Sequence, residues 1–172
     1  MTKTKQISLI SLFTALTIIG SQITIPIGTV PFTMQVFFVF LSGIMLGPKM
    51  GMISQTVYLL LGAIGIPAFA KFGSGLGILF GPTGGFLLSF PIAAFLIGFG
   101  KNKVQKITYS LLGLGIIYFL GWLRLGVYLS DFQKAFIAGV APFIAFDFLK
   151  IWMAYFAAFS FKKAYGALLN QN

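Results

Sequence analysis

The chain contains no cysteine and no histidine, and its only acidic residues are Asp131 and Asp147. Without thiolates or imidazoles it lacks the usual ligands for structural zinc or haem, and it has no Ser-His-Asp triad. The hydroxyl in Gly73-Ser74-Gly75 therefore has no histidine to activate it. With no glutamate at all, a glycosidase-like carboxylate pair has little to draw on. No G-x-x-x-x-G-K-[ST] phosphate loop occurs, so the chain by itself is not expected to hydrolyse ATP. Neither a cofactor nor a metal is implied. Charge is also scarce: 8% of residues are charged, where a soluble domain of this size carries about 25%.

Apolar side chains are what the sequence has instead. At 172 residues and 58% hydrophobic, it is read as an all-α integral membrane protein. That length suffices for about six transmembrane helices of ~20 residues with short connections, in a single domain over 1–172 with no separate soluble part. A β-barrel would alternate apolar and polar residues along each strand; here apolar runs are broken by Gly/Pro-rich segments.

The net charge of +10 would point to nucleic acid in a soluble protein, but its distribution fits orientation in a bilayer. Lys3, Lys5, Lys49, Lys101, Lys103, Lys106, Lys162 and Lys163 fall at one set of span ends, whereas Lys71, Arg124 and Lys134 fall at the other. The positive-inside rule then places both termini in the cytoplasm, in keeping with an even number of spans, and the cell membrane as the location. No nucleic-acid partner is expected. The apolar run from Ile7 to about Ile25 follows two lysines as in a signal peptide. It lacks a small-residue cleavage pattern and reads as a retained first helix covering about Gln6 to Ile25.

The remaining spans are expected at Val36 to Leu46, Met50 to Ile64, Thr83 to Phe99, Ile107 to about Tyr128, and Pro142 to about Phe161. The second is short, about 16 Å at 1.5 Å per residue, and must begin within the preceding loop or tilt. Gly65 to Pro82 carries five glycines, two prolines and three phenylalanines but a single charge, Lys71. Such backbone suits a structured lid over a cavity, the alternative being a loose outer connection. Ser130 to Gly139 reads as an outer connection. Pro142 is expected in the first turn of the last helix.

Asp147 and Lys150 lie in the apolar stretch from Val140 to Ala158. On insertion scales each such charge costs about 2.5–3.5 kcal/mol at the centre of a transmembrane helix. Their i, i+3 spacing puts them on one helical face, roughly 8 and 12 Å beyond Pro142, in the outer half of the bilayer. A carboxylate accepts N–H groups and an ammonium donates to carbonyl or carboxylate oxygens, so together they suit a small polar ligand carrying both. The plainer alternative is an ion pair that only fixes packing. Small residues recur at spacing four in Ser11/Ala15, in Gly43/Gly47/Gly51 and in Ala154/Ala158, a pattern that lets helices approach closely.

Four ordered segments resemble the BioY family: Ile25-Pro26-Ile27-Gly28-Thr29-Val30-Pro31-Phe32-Thr33-Met34-Gln35, Leu46-Gly47-Pro48-Lys49-Met50-Gly51, Leu79-Phe80-Gly81-Pro82-Thr83-Gly84-Gly85-Phe86, and Gly139-Val140-Ala141-Pro142-Phe143-Ile144-Ala145-Phe146-Asp147-Phe148-Leu149-Lys150. Members of that family are the substrate-binding S components of energy-coupling-factor (ECF) biotin transporters. The resemblance implies a six-helix fold with a biotin site open to the outside. It also implies partners: a transmembrane coupling (T) subunit and two cytoplasmic ABC-type ATPases that supply the hydrolysis. Asp147 and Lys150 are the ligand contacts it implies. Its lid corresponds to the region around Lys71, Phe72 and Gly75, continuing to Thr83. Docking on the coupling subunit would use Ser11 and Ala15, where the family typically shows Ala-x-x-x-Ala. Asp147 would accept a ureido N–H of biotin, Lys150 would donate to the ureido oxygen or the carboxylate, and Phe and Tyr rings would cover the bicycle. Two other readings compete: a stand-alone or proton-coupled carrier for biotin or another small vitamin, and a structural subunit without a ligand.

Overall fold

The computed structural model describes residues 2–169, with side chains described for 2–161. Among the described residues, six helices of twelve residues or more form the bundle: α1 (Lys3–Gln22), α2 (Gln35–Leu46), α3 (Pro48–Ala63), α5 (Gly84–Ile97), α6 (Lys103–Leu129) and α8 (Ile144–Leu169). The connections hold two short α-helices among the described residues, α4 (Leu76–Leu79) and α7 (Phe132–Gly139), and a 3-10 turn at Ala70–Phe72. The antiparallel strands β1 (Thr24–Ile25) and β2 (Phe32–Thr33) tie down the loop between α1 and α2, with Thr24 opposite Thr33. Helix α5 sits against α2, α3 and α6, while α2 also packs on α1, α3 and α8. Among the described residues, α1, α6 and residues 144–161 of α8 are long and apolar enough to cross a membrane, and α2 and α5 are shorter apolar helices.

The bundle has its polarity reversed relative to a soluble protein. Leu12, Ile19, Phe119, Phe156 and Phe159 are exposed, whereas Thr17, Ser21, Ser42, Ser54, Gln55, Ser89 and Ser110 are buried. In lipid an outward leucine costs nothing, and association depends on close packing and interhelical hydrogen bonds. Gln55 supplies the latter, its Nε2 donating to Thr17 Oγ1 at 3.1 Å and Ser42 Oγ at 3.2 Å, which joins α3 to α1 and α2. The glycine stripe supplies the former. A Cβ at Gly43 would lie 2.9 Å from the Ala94 carbonyl of α5, and one at Gly51 would lie 3.2 Å from Gly43 Cα. Gly47 serves otherwise: its φ of 79° makes the turn between α2 and α3.

Several boundaries differ from expectation for local reasons. Helix α1 begins at Lys3, where the Thr2 side chain accepts the Lys5 N–H and caps it. Asn102 caps α6 in the same way through the Gln105 N–H at 2.9 Å, so that helix begins four residues early. The outer connection after α6 is itself helical. Ser130 ends α6 in a left-handed conformation, and Asp131 caps α7 by accepting the Lys134 N–H at 2.9 Å. Pro142 is not in the first turn of α8 but in the preceding turn, with the helix beginning at Ile144. That helix runs on past Phe161 to Leu169. Lys162 and Lys163 interrupt the apolar run there without breaking the helix, because lysine is a good helix former; their side chains lie outside the described ones.

Candidate functional site

The loops after α1 and α3 and the α7–α8 turn converge on one end of the bundle. The turns bearing Lys49, Lys101 and Lys103 lie at the opposite end. Between the converging loops is a hollow of about 360 Å³, within the ~300–1,000 Å³ typical of small-molecule sites. Its floor carries Asp147 and Lys150, only 3% and 4% exposed. Thr29, Val30, Pro31, Thr33, Gln35 and Val36 form one wall, Phe69, Ala70, Lys71, Gly77, Ile78, Gly81, Pro82 and Thr83 form a cover, and Phe86, Phe90, Tyr118 and Phe143 supply rings from α5, α6 and the turn before α8.

The charged pair is a satisfied network. Lys150 Nζ donates to Asp147 Oδ1 at 2.7 Å and to the Thr33 carbonyl at 2.8 Å, and lies 3.9 Å from the centre of the Phe32 ring. The Tyr118 hydroxyl donates to Asp147 Oδ2 at 2.7 Å. Pairing of this kind offsets the desolvation of two buried charges, which is the condition for keeping them within hydrocarbon. Binding capacity is left over. A carboxylate has about four lone-pair sites and an ammonium three protons; the named protein partners occupy two of each. The open lone pairs of Asp147 can accept N–H groups, and the third proton of Lys150 can go to an oxygen.

A second polar arm extends the wall. Gln35 accepts from Thr33 Oγ1 at 3.0 Å and donates to the Tyr58 hydroxyl. Tyr58 is fully buried, with its ring 5.6 Å from that of Phe69 and 6.3 Å from that of Phe90. Polar groups and aromatic rings thus alternate around the hollow, with Phe69 and Phe90 against Tyr58 and Tyr118 against Asp147.

Of the residues expected to bind substrate, Asp147, Lys150, Lys71 and Thr83 line this hollow. Phe72 and Gly75 do not. Phe72 turns outward and is 71% exposed, because left-handed backbone at Lys71 and Phe72 (φ 57° at each) reverses the chain there. Gly75 is held away by its N–H, which donates to the Gly62 carbonyl at 2.7 Å. Ser11 and Ala15 are exposed together on α1, beside Leu12 and Ile19. Sequence reasoning assigned no role to Tyr118, Phe32, Thr33 or Gln35. The last three fall within the first of the four motif segments, which was the available signal. Nothing in sequence separates Tyr118 from Tyr109 or Tyr155 on similarly apolar helices.

The model of the BioY family matches residues 1–167. The chain belongs to the BioY family. Two relatives are a probable biotin transporter BioY of Pyrococcus horikoshii, 52% identical over 86% of this chain and 90% of that protein, and a biotin transporter BioY of Thermotoga maritima, 45% identical over 92% and 96%. The fold is also that of a crystal structure described as the S-component for biotin from an ECF-type ABC transporter. That likeness has a TM-score of 0.87 at 28% identity and covers 95% of each chain. Like other BioY proteins this chain is a transporter component of the membrane and not an enzyme, and its six long helices form the S-component fold.

Proposed function

We propose that this chain captures biotin at the outer face of the cell membrane with high affinity, as the S component of an ATP-driven ECF transporter. The observation that carries the reading is the buried Asp147–Lys150 pair bordering a hollow that is also lined by the rings of Phe86, Phe90 and Phe143. Biotin combines ureido N–H donors, a ureido oxygen, an apolar sulfur-containing bicycle and a carboxylate. Asp147 accepts a ureido N–H, and Lys150 donates to the ureido oxygen or the carboxylate. Phe86, Phe90 and Phe143 cover the bicycle, while Lys71 and Thr83 close from the lid. The sequence lacks a phosphate loop, so delivery to the cytoplasm depends on a transmembrane coupling subunit and two cytoplasmic ATPases. Docking on the coupling subunit uses the exposed Ser11/Ala15 face of α1. The whole chain is a single membrane domain.

Equilibrium binding of labelled biotin to the purified protein tests the reading: saturable one-to-one binding, displaced by unlabelled biotin, is expected. Absence of saturable binding would overturn it. Reconstitution of the chain alone in liposomes separates capture from autonomous transport, because accumulation without ATPases would favour a stand-alone carrier.

A further inference from the structure

The cover of the hollow contains two adjacent residues with side chains, Lys71 and Phe72, both in left-handed backbone at φ 57°. A Cβ makes that conformation unfavourable, so it persists only where surrounding groups hold it. The turn is narrow: the Phe69 N–H donates to the Gly73 carbonyl at 2.9 Å, and the Gly73 N–H donates to the Ala70 carbonyl at 3.2 Å. Side-chain support comes from another element. Gln22, the last residue of α1, donates from Nε2 to the Phe69 carbonyl at 3.1 Å, and its Oε1 accepts the Phe72 N–H at 2.9 Å. The amide thus spans the left-handed pair. Its orientation is set by its partners, since a flipped amide would put its oxygen against the Phe69 carbonyl and its NH2 against the Phe72 N–H.

We propose that Gln22 is a positioning residue: its amide clamps the strained Phe69–Gly73 turn and so holds Lys71 over the ligand hollow. Gln22 is absent from the lining of the hollow, whereas Lys71 is part of it. The clamp therefore acts through Lys71 and not by touching the ligand. Because Gln22 ends α1, the cover is fastened to the same helix that exposes Ser11 and Ala15. The effect on ligand retention rests on the proposed biotin site; the clamp itself does not.

Two readouts keep these apart. In detergent micelles, trypsin cleavage after Lys71, identified by fragment mass, should be at least about tenfold faster in Gln22→Ala than in the native chain, because both clamp hydrogen bonds are lost. Labelled biotin should leave Gln22→Ala faster by a similar factor. Adding Phe72→Gly, which removes the Cβ from one left-handed position, should slow that release again by about threefold or more. A merely structural contribution of Gln22 to the bundle would not be rescued at an outward-facing residue. Equal cleavage rates, or faster release without rescue by Phe72→Gly, would overturn the clamp while leaving the biotin site standing. Failure of the native chain to bind biotin would overturn the proposed function, and the cleavage comparison would still decide the clamp. Should Gln22→Ala not fold, hydrogen exchange at the Phe72 amide of the native chain decides: protection despite the residue's exposure is expected, and free exchange would refute the hydrogen bond to Gln22.

Discussion

Replacing Asp147 by asparagine keeps the shape of the side chain and removes its charge. In the native protein the carboxylate accepts two short hydrogen bonds, from Lys150 Nζ and from Tyr118, both at 2.7 Å. Removing one member of a buried ion pair outright costs about 3–5 kcal/mol, most of it the penalty on the abandoned charge. Here Lys150 keeps the Thr33 carbonyl and the face of Phe32, and an asparagine oxygen still accepts one bond. Double-mutant cycles within membranes also give small interhelical terms, averaging about 0.6 kcal/mol. A stability loss of about 1–2 kcal/mol therefore follows, too small to unfold a typical domain. Affinity responds differently, because a ligand N–H facing the variant meets a neutral acceptor, or the NH2 of a rotated amide. The expected loss is at least tenfold, or about 1.4 kcal/mol, measured as equilibrium binding of labelled biotin beside a thermal melt of the same sample. Unchanged affinity in a folded Asp147→Asn protein would refute the role given to this carboxylate. Intact affinity in Asp147→Asn combined with Lys150→Met would refute the pair as a whole.

Tyr118→Phe removes one donor to Asp147 without opening a cavity, and should weaken biotin binding by roughly three- to tenfold with little change in melting temperature. Arg124 donates from Nε to the Gly81 carbonyl at 3.3 Å and from its guanidinium to the Phe80 carbonyl. Arg124→Met should therefore speed hydrogen exchange across residues 76–83 while leaving the α2–α3 turn unaffected. The Phe69 ring lies directly on Gly62, so Gly62→Val should displace it and cost about 1–3 kcal/mol by overpacking, with biotin affinity falling alongside the melting temperature. The Lys134 N–H on Asp131 holds that carboxyl below its ordinary range. The cap on α7 is therefore fully present above the ordinary carboxylate pKa and is lost as pH falls through the lowered value. Exchange of α7 amides should accelerate only on strong acidification, and Asp131→Ala should remove that dependence.

The helical bundle was legible because lipid demands one simple pattern, apolar runs punctuated by Gly, Pro and lysine. That pattern says where spans lie but is silent about caps. A single side chain, Thr2 on α1 or Asn102 on α6, therefore moved those boundaries by several residues. Helix α7 was hidden for a related reason. Between Ser130 and Gly139 the residues are neither long nor uniformly apolar, and the helix exists through the Asp131 cap and packing on α6, where Trp122 Nε1 donates to the Phe132 carbonyl at 2.9 Å.

The candidate site divides along the same line. Asp147 and Lys150 stood out because ionisable groups are costly in hydrocarbon, so their mere presence carried information. Thr33 carried none, because its contribution is a backbone carbonyl that every residue has. Tyr118 is 29 positions before its partner and reaches Asp147 only because α6 and α8 lie side by side. Phe72 differs in the opposite direction: an aromatic in a glycine-rich cover looks like a ligand contact, yet it does not line the hollow. Its side chain points away because the turn reverses at Lys71 and Phe72, a reversal that residue type does not signal. Charge was thus readable one residue at a time, whereas the hydrogen-bond acceptors and rings that complete the site depend on which helices meet. For that reason Tyr118→Phe is the more searching test of the tertiary arrangement, and Asp147→Asn of the chemistry.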